Sequence, residues 1–410
     1  MSAAVQPFAA SPFPGTRRNP MTWFLLSFFL IYGLMHGYAF FKVRAAVHLG
    51  STGGILLALW MLLMILAPVG IRILEYQGHE KPAMVLSWVA YLWLGFLFLF
   101  MVCALMVDLL RFFGVTAAWL TKQRFPAFAP GVKAAFFLPL VLSLAATVYG
   151  YYEALHIRTE RVVIETDKLP AGMERFRICQ ISDVHLGLIV RERRLAIMLD
   201  IVKRENPDLL VSTGDLVDGQ LDHLSSLADP LREVRPAGGK FAVTGNHEFI
   251  AGIEKSLAFT SDAGFNVLRG EARDVGGFLT IAGVDDPAGQ GFRLMGKENG
   301  EGELLASLPR DRFILFLKHR PTLEVTTRGF FDLQLSGHTH RGQIFPFNWI
   351  VGLYFPLGSG LHDLGGSLVY VSRGSGTWGP PIRFLAPPEV TVIDLVRRKS
   401  GSPKRGNADG

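Results

Sequence analysis

Hydrophobic and polar positions divide the chain into two textures. Up to about residue 153 the apolar residues form four long runs, Thr22–Phe41, Gly53–Ile71, Met84–Val107 and Ala134–Tyr152, and none contains Asp, Glu, Lys or Arg. About 20 apolar residues make a helix that crosses ~30 Å of hydrocarbon at 1.5 Å per residue, so the runs predict four transmembrane helices. Buried helices of a soluble domain rarely stay uncharged over such lengths. From Arg161 the texture changes to short β-rich runs punctuated by Gly, Asn, Asp and Pro. Strands are expected at Arg161–Glu165, Phe176–Ile181, Leu209–Ser212, Lys240–Val243, Leu279–Ala282, Phe313–Phe316, Leu333–Leu335, Leu368–Val371 and Val390–Leu395. A helix is expected over Leu195–Glu205, stopped by Pro207. Strands with helices between the first few predict an α/β domain whose sites lie at strand C-termini.

The boundaries that follow are an N-terminal tail over 1–20 and a transmembrane region over 21–155, with helices near 22–41, 53–71, 84–107 and 134–152. A soluble domain covers 156–396, and a small, polar, basic tail over 397–410 is expected to be disordered. A length of 410 residues suits two units. Half the residues are hydrophobic and 19% charged, with a mean hydropathy of +0.30, which excludes a disordered or purely soluble chain. Residues 1–153 hold 10 Lys+Arg and 4 Asp+Glu, leaving 31 of each beyond, so the formal +6 belongs to the first part. Those basic residues flank apolar runs, and the neutral second part offers no basic stripe, so no nucleic-acid partner is expected. Counted together with Arg158, Arg161 and Lys168 just after the last run, the basic residues divide seven to six between the two sides, which leaves the orientation open. A cleavable signal with Arg17 and Arg18 as its basic end is the alternative for the first run, and would still leave three helices. Leu109–Lys133 reads either as an amphipathic interfacial stretch or as a plain loop. The two cysteines, Cys103 and Cys179, support neither a disulfide framework nor a Cys-type zinc site.

Five segments deliver His, Asp or Asn just after an apolar run. They are Ile181-Ser182-Asp183-Val184-His185, Gly214-Asp215-Leu216-Val217-Asp218, Gly245-Asn246-His247-Glu248, Leu317-Lys318-His319-Arg320-Pro321 and Gly337-His338-Thr339-His340. Loops at strand ends converge on one crevice, where these ligands can meet. Imidazole and carboxylate together, without thiolate, suit a pair of first-row divalent ions, and a carboxylate can bridge two such ions. Two ions about 3.5–4 Å apart can clamp both oxygens of a phosphoryl displacement. Each segment alone is weak, because Asp-x-His and Gly-Asn-His also occur in plain turns. All five, in this order and each after a strand, are specific. Asp285 and Asp286 also form an acidic pair, which a turn before Pro287 accounts for, and Glu248 is placed to orient neighbouring ligands.

These motifs resemble the calcineurin-like metallophosphoesterase family over roughly Phe176 to Leu395. The membrane-associated bacterial branch is the nearest likeness, judged by Gly283-Val284-Asp285-Asp286-Pro287, Ser336-Gly337-His338-Thr339-His340 and Pro387-Pro388-Glu389. The resemblance implies an α/β fold, a four-layer sandwich of two mixed sheets flanked by helices, here preceded by an all-α four-helix transmembrane region. It implies two divalent metal ions (Mn, Fe or Zn), with Asp183, His185 and His340 on the first, Asn246, His319 and His338 on the second, and Asp215 bridging. His247 would protonate the leaving oxygen and Asp218 would orient it. Arg341 stands where this branch often has Gly, and is either a substrate-binding cation or a solvated loop charge.

The expected function is hydrolysis of a phosphodiester, phosphomonoester or pyrophosphate bond by a membrane-anchored enzyme, with a lipid-linked substrate among the candidates. An integral, multi-pass protein of the bacterial cell membrane is expected, the side of its catalytic domain undetermined. The alternative is a membrane transporter or sensor whose phosphoesterase domain is regulatory. It would need ionisable residues inside the apolar runs, where only His36 and, at a run's end, Asp108 are found. The oligomeric state is not legible.

Overall fold

The computed structural model describes residues 20–122, 130–219, 224–292 and 300–398. Residues 1–19 of the expected N-terminal tail, and the C-terminal tail from residue 399, lie outside the described residues. Four long helices open the chain: α1 (Pro20–Ala46), α2 (Ser51–Tyr76), α3 (Glu80–Thr121) and α4 (Ala134–Leu155). Each is long and apolar enough to cross a membrane. At 1.5 Å per residue the 42-residue α3 extends about 63 Å. It continues past Val107 because Asp108 is not left as an isolated charge: it pairs with Lys42 and accepts a hydrogen bond from the Tyr38 hydroxyl at 2.7 Å, both on α1. His36 is also engaged, accepting from Trp93 Nε1 at 2.9 Å.

The α/β domain contains β1 (Arg158–Thr166), β2 (Arg175–Ile181), α5 (Glu192–Glu205), β3 (Leu209–Ser212), α6 (Ala228–Arg232), β4 (Lys240–Ala242), α7 (Asn246–Ala251), α8 (Ile253–Asp262), β5 (Asn266–Val267), β6 (Glu271–Val275) and β7 (Leu279–Gly283). It continues with α9 (Ala288–Phe292), α10 (Glu301–Ala306), β8 (Phe313–Leu317), β9 (Leu333–Ser336), α11 (Phe347–Tyr354), β10 (Gly360–Asp363), β11 (Leu368–Val371) and β12 (Glu389–Arg397). Two six-stranded mixed sheets result, ordered β1-β12-β2-β3-β4-β5 and β10-β11-β9-β8-β7-β6. Among the described residues only the β12–β2, β10–β11 and β6–β7 pairings are antiparallel. Arg397, placed by the sequence pattern in the tail, closes β12 opposite Thr166, because β1 extends far enough to pair with it.

Side-chain alternation sorts the strands into four layers. Phe313, Leu315 and Leu317 of β8 point between the sheets to meet Ile178, Leu209 and Val211. Their neighbours Ile314 and Phe316 face Leu304 and Leu305 of α10. On the outer side of the first sheet Cys179 and Leu210 pack with Leu195, Met198 and Val202 of α5 and Phe259 of α8. With both faces covered, a strand such as β8 is apolar throughout and buried at every position.

The α/β domain docks directly on the long helices. Two glycines permit the approach: a Cβ on Gly95 of α3 would lie 2.8 Å from Ile382, and one on Gly150 of α4 would lie 2.9 Å from the Arg383 carbonyl. The Arg383 backbone N–H donates to the Gly150 carbonyl at 2.9 Å. Arg194 of α5 lies over the rings of Trp88 and Tyr151 while donating to Thr377 Oγ1 (2.7 Å) and the Pro381 carbonyl (2.9 Å). Leu188 packs against Ala67, Ile71 and Ala90.

Candidate metal centre

The ends of five central strands meet at one crevice. β2 leads into Asp183 and His185, β3 into Asp215 and Asp218, β4 into Asn246 and His247, β8 into His319, and β9 into His338 and His340. Asp183 (φ 50°), His185 (54°), Asp215 (52°), His338 (71°) and His340 (48°) all occupy the left-handed backbone region. Each such residue costs on the order of 1–3 kcal/mol and persists only where its surroundings over-determine it. Backbone strain is thus concentrated among the candidate donors.

The glycines preceding three of the motifs have a steric reason. A Cβ on Gly214 would lie 2.6 Å from the Gly245 nitrogen, one on Gly245 2.1 Å from Asp215 Oδ1, and one on Gly337 1.9 Å from Ser182 Oγ. Only bare backbone lets these loops come so close. Glu248, in the first turn of α7, accepts from the backbone N–H groups of Gly245 (2.6 Å), Leu216 (2.7 Å) and Asp215 (3.0 Å). One carboxylate therefore caps the helix and ties two donor loops together.

Asp183, His185 and His340 bring donor atoms within 4.8 Å of one another, and so do Asp215, His319 and His338. His185 Nε2 and His340 Nε2 are 3.0 Å apart, with Asp183 Oδ1 3.5 Å from the latter. On the other side His338 Nδ1 and His319 Nε2 are 3.1 Å apart. Asp215 Oδ2 stands between, 3.2 Å from His319 Nε2 and 3.8 Å from His185 Nε2. His319 Nδ1 donates to the Thr213 carbonyl at 2.8 Å, which leaves Nε2 to offer a lone pair. Asn246 Oδ1 is buried with no hydrogen-bond partner among the described residues. An orphaned buried acceptor costs about 1–3 kcal/mol, and a cation would satisfy it. The donor set therefore fits two divalent ions with Asp215 shared.

Electrostatics favours the same reading. Burial, helped by the His247 charge, brings His185 down to about 4. Burial also holds His338 and His340 well below the ordinary imidazole range, with His319 and Arg383 respectively adding to it. Neutral imidazole is the form that binds a metal. Burial raises the Asp183 carboxyl to about 6. At His319 burial is outweighed by Asp215 and the ring is pushed up to about 10, so a proton and a metal ion compete for the space between those two groups.

At the rim, His247 Nδ1 pairs with Asp218 Oδ1 at 3.0 Å. Burial opposes its charge, but Asp215 and Asp218 together push it up to about 9. Its backbone N–H donates to Asp215 Oδ1 at 2.8 Å, locking the ring beside the donors. Arg341 is exposed next to His340. Asp285 and Asp286 fall in none of the donor clusters found among the described residues and pair with Arg269 and Arg320 at 2.9 and 2.7 Å.

Three features had no signal in the sequence. Arg383, fully buried, donates to the carbonyls of Gly376, Arg373 and His340 at 2.6, 2.8 and 3.0 Å and touches His340 Nδ1. The Gly374–Gly376 turn packs on Asp183 and Val184. The Trp378 ring stands 5.7 Å from that of His247. A lone Arg and a Gly-rich turn carry no periodicity or spacing that marks a site. A Cβ on Gly376 would lie 2.0 Å from the Val184 carbonyl, where no side chain can rotate aside. Gly376→Ala is expected to lower the Tm by roughly 2–10 °C; an unchanged melting curve would show that this turn is not seated there.

The profile of the family described as calcineurin-like phosphoesterase matches residues 176–342, from β2 through the last donor. An uncharacterized metallophosphoesterase of Aquifex aeolicus is 42% identical over 260 residues, covering 62% of this chain and 98% of that one. The chain belongs to the calcineurin-like phosphoesterase family. An uncharacterized metallophosphoesterase of Campylobacter jejuni is 32% identical over 261 residues, covering 62% of this chain and 69% of its own. A transmembrane protein with metallophosphoesterase domain from Danio rerio is 31% identical over 270 residues, covering 63% of this chain and 62% of its own. The calcineurin-like phosphoesterase domain of this protein thus carries all the candidate donors.

Proposed function

We propose that the protein is a membrane-anchored, metal-dependent phosphoric ester hydrolase, with α1–α4 crossing the bilayer. The observation that carries this reading is the position of Asp215 between two donor clusters, with the His247–Asp218 pair at their edge. Asp183, His185 and His340 would hold one ion, Asn246, His319 and His338 the other, and Asp215 both. When bound, such ions neutralise phosphate oxygens and lower the pKa of water, and the mixed imidazole and carboxylate set suits Mn, Fe or Zn.

The chain's own groups supply the rest. His247, kept charged by two carboxylates, is placed to give its proton to the departing ester oxygen, and Asp218 holds the ring's orientation. Trp378, beside that ring, and Phe355, 5.0 Å from the His338 ring, make the rim apolar. The transporter or sensor reading receives no specific support, because His36 and Asp108 both have partners inside the helix bundle.

The test is hydrolysis of bis-p-nitrophenyl phosphate and p-nitrophenyl phosphate by the full chain. Turnover is expected to vanish on chelation and return with manganese. Turnover that survives complete metal removal would refute the reading.

A further inference from the structure

Helix α11 is apolar and uncovered. Phe347-Asn348-Trp349-Ile350-Val351-Gly352-Leu353-Tyr354 contains no charge and no buried residue, with Leu353 79% and Trp349 67% exposed. A soluble surface does not keep such a patch without an occupant. Its attachment says what the occupant is. The Phe347 ring meets Phe98 of α3 edge-on at 6.2 Å, and Ile344, just before α11, packs with Leu99. Phe98 lies about 27 Å along α3 from Glu80. Exposed Val89 and Leu92 precede this contact and Leu105 and Met106 follow it. The contact therefore adjoins exposed apolar side chains of α3, and α11 continues that apolar surface outward. Trp349 and Tyr354 are of the residue types enriched where a membrane meets water.

The same helix borders the metal centre. The turn His340–Gly342 leads into it, and Phe355 at its end packs on His338. Arg341, exposed on that turn, is a cation that lies in the chain between the donor His340 and α11. We propose that α11 lies in the surface of the bilayer that holds α1–α4, and that the centre beside it acts on a phosphorylated membrane lipid whose acyl chains stay in that bilayer. This rests on the phosphoesterase reading above. In the reaction a water oxygen bonds to phosphorus and the bond from phosphorus to the lipid oxygen breaks. That oxygen takes the His247 proton, and the proton lost by the water restores the imidazolium, so that water and ester give alcohol and phosphate.

The experiment uses the full chain in phosphatidylcholine vesicles. A spin label at Leu353→Cys, in a Cys103→Ala background with buried Cys179 retained, is expected to collide with oxygen far more than with a water-soluble nickel chelate. A label at Lys203→Cys on α5 is expected to do the reverse. A label at 353 that reads as aqueous overturns the proposal. Separately, phosphatidic acid and phosphatidylglycerol in the vesicles are compared with the two p-nitrophenyl esters in solution. The wild type is expected to hydrolyse at least one of the lipids. In Trp349→Ser/Leu353→Ser the ratio of lipid to soluble turnover is expected to fall on the order of tenfold. Soluble turnover with neither lipid hydrolysed, or with an unchanged ratio, overturns the lipid assignment and leaves the phosphoesterase reading standing. No turnover of any substrate in any metal refutes both.

Discussion

Asp215→Asn is expected to lower kcat/KM for bis-p-nitrophenyl phosphate by on the order of 10³-fold or more, since metal stabilisation of transition-state charge is worth several kcal/mol and each 1.36 kcal/mol is tenfold. Asp215 is the carboxylate that faces both clusters, 3.2 Å from His319 and 3.8 Å from His185. Asn keeps the size and an oxygen for the His247 backbone N–H, but removes the charge that would offset two cations. The informative readout is metal content per chain beside turnover: both should fall together. The metal-free fold should lose stability as well, because burial opposes the Asp215 charge but His319 and His247 outweigh it and hold its carboxyl well below the usual carboxylate range, so neutralising it leaves two buried imidazolium groups without that partner. Metal content and turnover equal to wild type would sink the assignment of Asp215 as the shared ligand.

His247→Ala should cost about 10²–10⁴-fold on an alkyl phosphate ester, the usual worth of a positioned general acid. The loss should be much smaller on a p-nitrophenyl ester, whose leaving group departs without a proton. A metal ligand would show no such dependence on the leaving group, so the contrast separates the two roles. Asp218→Asn should follow the same pattern at about 10–100-fold, the range for a group that acts by orienting another. Equal losses on both esters would instead place His247 among the metal ligands, through the Nε2 that its Nδ1 pairing to Asp218 leaves over, since His185, Asp215 and His247 also bring donor atoms within 4.8 Å of one another.

Much of the site was legible because its chemistry is local. Asp183 and His185, Asp215 and Asp218, Asn246 and His247, and His338 and His340 each follow an apolar strand by a few residues, so spacing alone brings them to one edge of the sheets. The strands β5, β6 and β10 went unread: they are short, partly exposed edge elements whose apolar content does not stand out from the surrounding loops. The length of α3 went unread for another reason. Asp108 ended the apolar run, and only its partners Lys42 and Tyr38, more than 60 residues away, make that charge acceptable within the helix.

By itself the sequence determined the types of donor, their order along the chain, the apolar helices and an α/β domain, because each is written in neighbouring residues, whereas the layering of two sheets was only what the family resemblance implied. Tertiary structure decided what depends on distances between remote segments. It placed Asp215 Oδ2 between His185 and His319, and brought Arg383 from beyond β11 to the back of His340 and onto Gly150 of α4. It left α11 bare beside Phe98, next to exposed apolar side chains of α3. No periodicity in α11 records that placement, since an apolar octet reads alike whether it packs inside a domain or faces lipid; only the packing of the phosphoesterase domain on α3 and α4 distinguishes the two.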